Sequence, residues 1–117
     1  MHFICNRETL QKYISQAERV TGKHLSLPLL GSVLLTTNNK TVIIRATNLE
    51  VGVEFQIPAE IKTEGSIVLP GSLLANTLAS IPDEKEINLS ASNGVCKITT
   101  KRKTLNIKGF LPDDFPT

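Results

Sequence analysis

The 117-residue sequence has no apolar run that approaches the roughly 20 residues needed to cross a lipid bilayer. Its opening stretch, MHFICNRETL, contains neither the apolar region nor the cleavage site of a secretory signal. These absences argue against a membrane-spanning or secreted class, and we expect a cytoplasmic protein with no membrane partner. With 40% hydrophobic residues, a chain of this length is expected to form one hydrophobic core.

Cysteine is scarce, with only Cys5 and Cys96 in the chain. Each lies in a segment with an alternating, strand-like pattern, and neither has a His or Cys at metal-ligand spacing. The sequence therefore indicates neither a disulfide framework nor a structural metal site, and we expect two buried thiols. No cofactor is predicted.

The sequence also lacks short motifs that mark many enzymes, since it contains no phosphate-binding glycine loop and no nucleophile elbow. The acidic pairs Asp83-Glu84 and Asp113-Asp114, with the two histidines, are the side chains that an acid, a base or a metal site would use. Both pairs lie in proline-flanked segments, where adjacent carboxylates usually form turns or face solvent. We therefore favour a non-enzymatic protein and keep catalysis as an alternative.

The chain begins with a short strand at 2–6, which is followed by an amphipathic helix at 7–20. Asn6 is a good N-cap because its side-chain oxygen can accept a hydrogen bond from an unpaired backbone N–H, and Gly22 is placed to end the helix. Apolar residues recur on one face at helical spacing: Leu10, Tyr13, Ile14, Ala17 and Val20. We expect this face to be buried.

The order of the predicted elements repeats along the chain. Strands at 32–37, 41–46 and 51–57 follow the first helix; a strand at 66–69, a helix at 71–80 and strands at 86–91, 95–100 and 104–109 come next. The turn pairs Asn38-Asn39 and Asn93-Gly94 each separate two of these strands. The chain thus contains two copies, at about 1–60 and 65–110, of one strand-helix-three-strand unit.

Short loops and antiparallel hairpins favour an α+β fold in which the sheet and the helices form separate layers. The segment VGVEFQI at 51–57 alternates apolar residues with small or polar ones, which is typical of a strand with one buried and one solvated face. We therefore expect both helices on one face of an antiparallel sheet, with the other face of the sheet towards solvent.

Three segments resemble, in order and spacing, the N-terminal domain of the bacterial sliding clamp, the β subunit of DNA polymerase III. They are LSLPLLGSVLL at 25–35, ATNLEVGVEF at 46–55 and LPDDFP at 111–116, and the opening MHF with Arg7-Glu8 is also similar. The resemblance implies a DNA-clamp fold, with 1–117 as the first domain and 111–117 as the linker to a second. It also implies a ring-forming processivity factor, which tethers the replicative polymerase to duplex DNA without sequence specificity.

The resemblance places the helices towards the DNA. On the first helix, the face opposite the apolar stripe carries Lys12 and Arg19, with Gln16 at its edge. Lys23 and His24 lie just beyond this helix, and His24 aligns with a DNA-contacting arginine of the family. These five residues form the predicted DNA-binding set, for which an ordinary solvated helix face is the alternative. A net charge of +2 is compatible with sliding, because strong contacts with DNA would oppose it.

The second helix contains no Lys or Arg, and it carries an apolar stripe distinct from its core-facing residues. In the resembling clamps, this helix and the last strand of the domain meet the partner subunit, head to tail, in a homodimer. The predicted subunit interface comprises Leu73, Thr77, Ile81, Leu105 and Ile107, with Lys101, Arg102, Lys103 and Lys108 as a charged rim. A wider core is the alternative for the apolar residues.

The polymerase and the clamp loader are expected to bind through other domains, since the family's peptide-binding pocket lies mainly in its third domain. A stand-alone protein-interaction module with the clamp fold, which does not encircle DNA, is the second functional hypothesis, because a fold does not determine a function. A reading frame that continues for two similar domains would favour the ring.

Overall fold

The computed structural model describes residues 1–21, 31–48, 50–110 and 112–114. In chain order the elements are β1 (His2–Asn6), α1 (Arg7–Thr21), β2 (Ser32–Asn38), β3 (Thr41–Thr47), β4 (Gly52–Pro58), β5 (Glu60–Thr63), β6 (Ser66–Pro70), α2 (Gly71–Ala79), β7 (Glu86–Ser92), β8 (Val95–Thr99), β9 (Thr104–Lys108) and a 3-10 turn (Pro112–Asp114). Every predicted helix and strand is present, with bounds within one residue of the prediction. Among the described residues, no helix is both long and apolar enough to span a membrane.

The strands form two antiparallel sheets, which we call sheet I (order β5-β1-β7-β8-β9) and sheet II (order β4-β3-β2-β6). The first strand of each half lies in the sheet of the other half, since β1 pairs with β7 and β6 pairs with β2. The predicted α+β class and antiparallel pairing are confirmed. The strands form two sheets rather than the single sheet that we expected, and the two halves exchange their first strands between these sheets.

Each half ends with a segment that crosses to the other sheet, which the predicted unit did not include. After β4, strand β5 joins the edge of β1, with Phe3 opposite Ile61. After β9, Phe110 forms an isolated bridge with Val68 on β6. The segment 60–63, EIKT, was missed because it has a single strongly apolar residue, which is too little for an alternating pattern. The two crossings tie the sheets together.

Local signals in the sequence fix the ends of several elements. The Asn6 Oδ1 atom accepts a hydrogen bond from the backbone N–H of Thr9 at 2.8 Å, so Asn6 caps α1 as predicted. The hairpin turns place Asn39, Asn93 and Gly94 at φ values of 55°, 54° and 78°, a left-handed backbone that Asn and Gly tolerate. Gly22, the predicted end of α1, lies outside the described residues.

One hydrophobic core joins the helices and both sheets. Helix α1 contributes Leu10, Ile14 and Ala17, and α2 contributes Leu74 and Leu78. The strands supply inward-facing residues that include Phe3, Leu35, Ile44, Ile57, Ile67, Leu69, Ile87, Leu89, Cys96 and Ile98. Because both helices bury one face in this core, their opposite faces remain open to solvent.

Candidate nucleic-acid and subunit interfaces

The solvent-facing side of α1 carries the two cations that the sequence predicts for DNA binding. Lys12 and Arg19 are exposed, and Gln16 is half-buried between them. Positions 12 and 19 are about two helical turns apart, so both side chains leave the same side of the helix. The ion pairs found among the described residues involve neither cation. Within the described part of the chain, neither positive charge is neutralised by an ion pair.

An aromatic contact holds α1 against β4. The ring centroids of Tyr13 and Phe55 lie 5.1 Å apart with an interplanar angle of 38°. The Lys12 Nζ atom lies 5.3 Å from the centroid of the Tyr13 ring, within the range of a cation–π contact. The position of this lysine is thus linked to the packing of the helix.

Parts of the predicted site lie outside the described residues, namely Lys23 and His24, so their contribution stays a prediction. The second resembling segment contains a turn that a side chain stabilises. There the Asn48 Oδ1 atom accepts hydrogen bonds from the N–H groups of Glu50 and Val51, at 2.9 Å and 2.8 Å.

The predicted subunit interface is only partly at the surface. On α2, Leu73 is 49% exposed and Thr77 is half-buried, but Ile81 is 4% exposed and belongs to the core. The helix ends at Ala79, so Ile81 does not continue the stripe of Leu73 and Thr77 and turns inward instead. For Ile81, the prediction of an exposed interface residue is therefore corrected to a core residue.

Strand β9 requires a similar correction. Ile107 is 3% exposed and lies opposite the buried Cys96, while Leu105, opposite Ile98, is half-buried against the core. Alternate residues of a strand share a face, so the side chains of Leu105 and Ile107 both point towards the core. Of the two, Leu105 keeps the larger exposed area. Ile107 is thus a core residue, and Leu105 remains available for an interface.

Arg7 is a buried cation whose role the sequence did not reveal. It is 8% exposed. Its guanidinium donates hydrogen bonds to the Gln11 Oε1 atom and to three backbone carbonyls, of which one lies in the last turn of α2 and two lie in the loop that follows. The carbonyls are those of Glu84 at 2.8 Å, Leu78 at 3.3 Å and Pro82 at 3.4 Å. A basic residue directly after an N-cap gives no signal of burial, because the carbonyl groups that it binds lie more than 70 positions away in the chain.

The loop that Arg7 holds forms one wall of a cavity of about 380 Å³ beside the end of α2. The lining residues are Ser80, Ile81, Pro82, Asp83, Glu84, Arg102 and Lys103. Arg102 and Lys103 belong to the predicted charged rim, and both are exposed, as are Lys101 and Lys108. No described ion pair joins the acidic and the basic wall.

The two thiols are buried, as predicted. Burial raises the pKa of Cys96 to about 12, and burial, together with the nearby Glu86 carboxylate, raises the pKa of Cys5 to about 12. Among the residues that the structure describes, no three His, Cys, Asp or Glu side chains come together as metal ligands.

The whole chain, residues 1–117, matches the family described as DNA polymerase III beta subunit, N-terminal domain. The chain belongs to this family. It is 24% identical over 125 residues to the beta sliding clamp of Halalkalibacterium halodurans, a match that covers 99% of this chain and 33% of that protein. It is 28% identical over 125 residues to the beta sliding clamp of Synechocystis sp., with 99% and 32% covered.

Solved structures of the DNA polymerase III β subunit have the same fold. The crystal structure of the β subunit sliding clamp from Bartonella birtlesii matches with a TM-score of 0.92 and 26% identity, covering 100% of this chain and 33% of that chain. The β subunit from Streptococcus pyogenes, at 22% identity, also gives a TM-score of 0.92, with 100% and 32% covered. The chain thus spans about a third of the length of these β subunits.

Proposed function

We propose that residues 1–117 form the first domain of a ring-shaped sliding clamp, a processivity factor that tethers a replicative DNA polymerase to duplex DNA. The observation that carries the proposal is the family match along the whole chain, to relatives about three times as long that are named beta sliding clamps. A ring holds DNA by topology, so it needs few phosphate contacts, and these carry no sequence information. The proposal assigns no catalysis and no cofactor to the domain.

The unpaired edges of the two sheets support the proposal that this domain lies between two neighbours, the next domain of its own chain and a second subunit. Sheet I ends at β5 and β9 and sheet II ends at β4 and β6; β6 is bridged by Phe110, and no described strand pairs with the outer edges of β9 and β4, the two that we assign to neighbours. An unpaired edge strand is a ready site for pairing with another chain or domain. A domain in a ring needs two such contacts, one with the next domain and one with a second subunit. We place the head-to-tail contact at β9.

In this proposal the solvent face of α1 lies towards the DNA. Lys12 and Arg19 supply the charge, and Gln16 supplies an uncharged hydrogen-bonding group for the DNA backbone. Lys23 and His24 extend this surface beyond the helix. Because the cations are few and lie on one helix face, they favour loose electrostatic contact, which is compatible with sliding.

The subunit contact that we propose centres on Leu73, Thr77 and Leu105, the interface residues that keep exposed or half-buried area. The exposed cations Arg102 and Lys103 flank this surface as part of the rim. The polymerase and the clamp loader bind elsewhere on the ring, through domains beyond this one, and the assembly works in the cytoplasm.

The test is retention of the full-length natural protein on circular and on linear duplex DNA. Native mass spectrometry first gives the chain length and the number of subunits, and the protein is then loaded onto a nicked circle and separated by gel filtration. A clamp remains on the circle and is lost after linearisation, because it slides off the ends.

Two outcomes would overturn this proposal. Equal retention on both DNA forms, or a natural chain that ends near residue 117, would favour the stand-alone interaction module. Metal-dependent turnover or hydrolysis by the pure protein would instead favour an enzyme.

A further inference from the structure

The two halves of the domain have the same backbone arrangement where the chain crosses between the sheets. After β4, the Ala59 N–H donates to the Lys40 carbonyl at 2.9 Å; after β9, the Gly109 N–H donates to the Gly94 carbonyl at 2.7 Å. Each acceptor lies in a hairpin turn, directly after an asparagine with a left-handed backbone. The two crossings are therefore equivalent, residue by residue.

The next residue of each crossing pairs with the first strand of the opposite half. Glu60 lies opposite Ile4 on β1, and Phe110 lies opposite Val68 on β6. Ile4 and Val68 each lie between two core residues of their strand, so both side chains are on the face of the sheet that points away from the helices. Glu60 and Phe110 thus occupy equivalent positions with different side chains.

This difference accompanies a difference in how the outer faces are covered. Val68 is 0% exposed beside Phe110, and the cavity at that crossing measures about 240 Å³. Ile4 is only half-buried, and it lines a larger cavity of about 750 Å³. The Glu60 side chain is exposed and pairs with Lys62 at 2.8 Å. The first crossing therefore has a groove where the second has a phenylalanine.

The groove combines apolar surface with an excess of negative charge. Its apolar lining residues are Ile4, Pro58, Ala59 and Ile61. Its charged lining residues are Lys40, Glu60 and Glu86. The ion pairs found in the described part of the chain do not involve Glu86. Such a surface is complementary to an apolar side chain with a base beside it.

We propose that this groove binds a protein segment that carries an aromatic side chain next to a basic one. The aromatic ring covers Ile4 as Phe110 covers Val68, and the base lies beside Glu86. The described lining residues come from β1, β4, β5, β7 and the turn between β2 and β3. The partner thus binds on the side of the domain opposite to the solvent face of α1. The inference goes beyond the proposed function and does not depend on it.

The experiment uses saturation-transfer NMR with the full-length natural protein and the peptide acetyl-Gly-Phe-Arg-Gly-amide as the probe. We expect saturation transfer to the aromatic protons of the peptide. The peptide acetyl-Gly-Ala-Arg-Gly-amide should bind at least about fivefold more weakly, because it buries less apolar area. The peptide acetyl-Gly-Phe-Glu-Gly-amide should bind about threefold more weakly, since partly exposed ion pairs contribute little.

Glu60→Phe gives the first crossing the side chain that the second already has. We expect it to cover Ile4, to raise the unfolding midpoint and to abolish binding of the probe. Glu64→Phe is the matched control, because Glu64 is exposed and is not a lining residue of the groove. It should bind the probe as the wild type does and gain no stability.

Two further variants test the groove without adding an aromatic ring. Ile4→Lys places a charge on the apolar floor at a half-buried position and should abolish binding of the probe. Glu86→Gln should weaken binding of the arginine peptide about threefold and reduce the preference for it over the glutamate peptide.

Four results would overturn the inference. Absence of saturation transfer at about 5 mM probe would mean that the groove has no useful affinity for this chemistry. Wild-type binding in both Ile4→Lys and Glu60→Phe would mean that the peptide binds elsewhere on the protein. Equal binding of the alanine peptide would exclude the aromatic ring from recognition. An unchanged preference for arginine in Glu86→Gln would exclude that carboxylate as the partner of the base.

Discussion

The backbone groups of Val68 and Phe110 exchange two hydrogen bonds, with N···O distances of 3.2 Å and 2.8 Å. The pair joins β6, an edge strand of sheet II, to the chain that has just left β9 in sheet I. The N–H of Gly109 also donates to the Gly94 carbonyl at 2.7 Å. Two consecutive residues, Gly109 and Phe110, therefore fix the crossing between the sheets by hydrogen bonds. The crossing holds the end of the second half of the chain against sheet II.

Gly109→Ala is expected to destabilise this crossing. A methyl group at position 109 would clash with the Val68 carbonyl oxygen and lie 3.0 Å from the Leu69 Cδ2 atom. The oxygen belongs to the bridging backbone and cannot retreat without disturbing the Phe110 hydrogen bonds. We expect the free energy of unfolding, measured by urea denaturation, to fall by about 1–3 kcal/mol. Gly52→Ala is the control, because its added Cβ would have no neighbour nearer than 3.8 Å; equal stability of the two variants would contradict the close approach.

The buried thiols predict a loss of stability in alkali. Folded Cys5 and Cys96 have pKa values of about 12, against an ordinary value of 9.0. Above the ordinary value, the unfolded state releases thiol protons that the folded state keeps, so stability falls as the pH rises towards the folded pKa. The limiting slope is about 1.4 kcal/mol per pH unit for each thiol.

Urea denaturation over an alkaline pH series measures this loss, and Cys5→Ala/Cys96→Ala should show a shallower decline than the wild type. Near neutral pH the folded thiols should react with Ellman's reagent only when the protein opens. Rapid labelling of the folded protein would contradict the assigned burial.

The cations of α1 predict a measurable salt dependence of DNA binding. We expect Lys12→Ala/Arg19→Ala/Lys23→Ala in the full-length ring to weaken binding to duplex DNA. The slope of log K against log salt should fall by about 0.9 for each phosphate group that the variant no longer neutralises, as measured by fluorescence anisotropy. Lys62→Ala is a control for loss of positive charge, because Lys62 pairs with Glu60 on β5. An unchanged slope in the triple variant would remove these residues from the DNA surface.

Leu105→Asp is expected to separate the subunits of the full-length ring. A carboxylate at the centre of an apolar contact would be desolvated without a partner, and we expect the dissociation constant to rise at least about tenfold, or about 1.4 kcal/mol. Sizing by light scattering measures the outcome. Val51→Asp is the control, since Val51 is 55% exposed and lies outside the proposed contact. An intact dimer in Leu105→Asp would exclude β9 from the interface.

Apart from β5, the helices and strands and their order along the chain follow from the amino-acid sequence without further information. The Asn6 cap, the Asn93-Gly94 turn and the alternating pattern of β4 act over a few residues, so each is visible in the sequence itself. The exposed positions of Lys12 and Arg19 followed in the same way, from the period of a single helix.

Which strands pair with each other, and which side chains are buried, depends instead on contacts between distant parts of the chain. The exchange of β1 and β6 between the sheets, the burial of Ile81 and Ile107 and the three carbonyl groups bound by Arg7 all involve residues far apart in the chain. The sequence pattern around an apolar residue is the same whether its side chain is buried in the core of its own domain or against another subunit. The reason is that the hydrophobic effect does not depend on which apolar surface covers the side chain. A cation likewise carries no local sign of the backbone groups that will surround it.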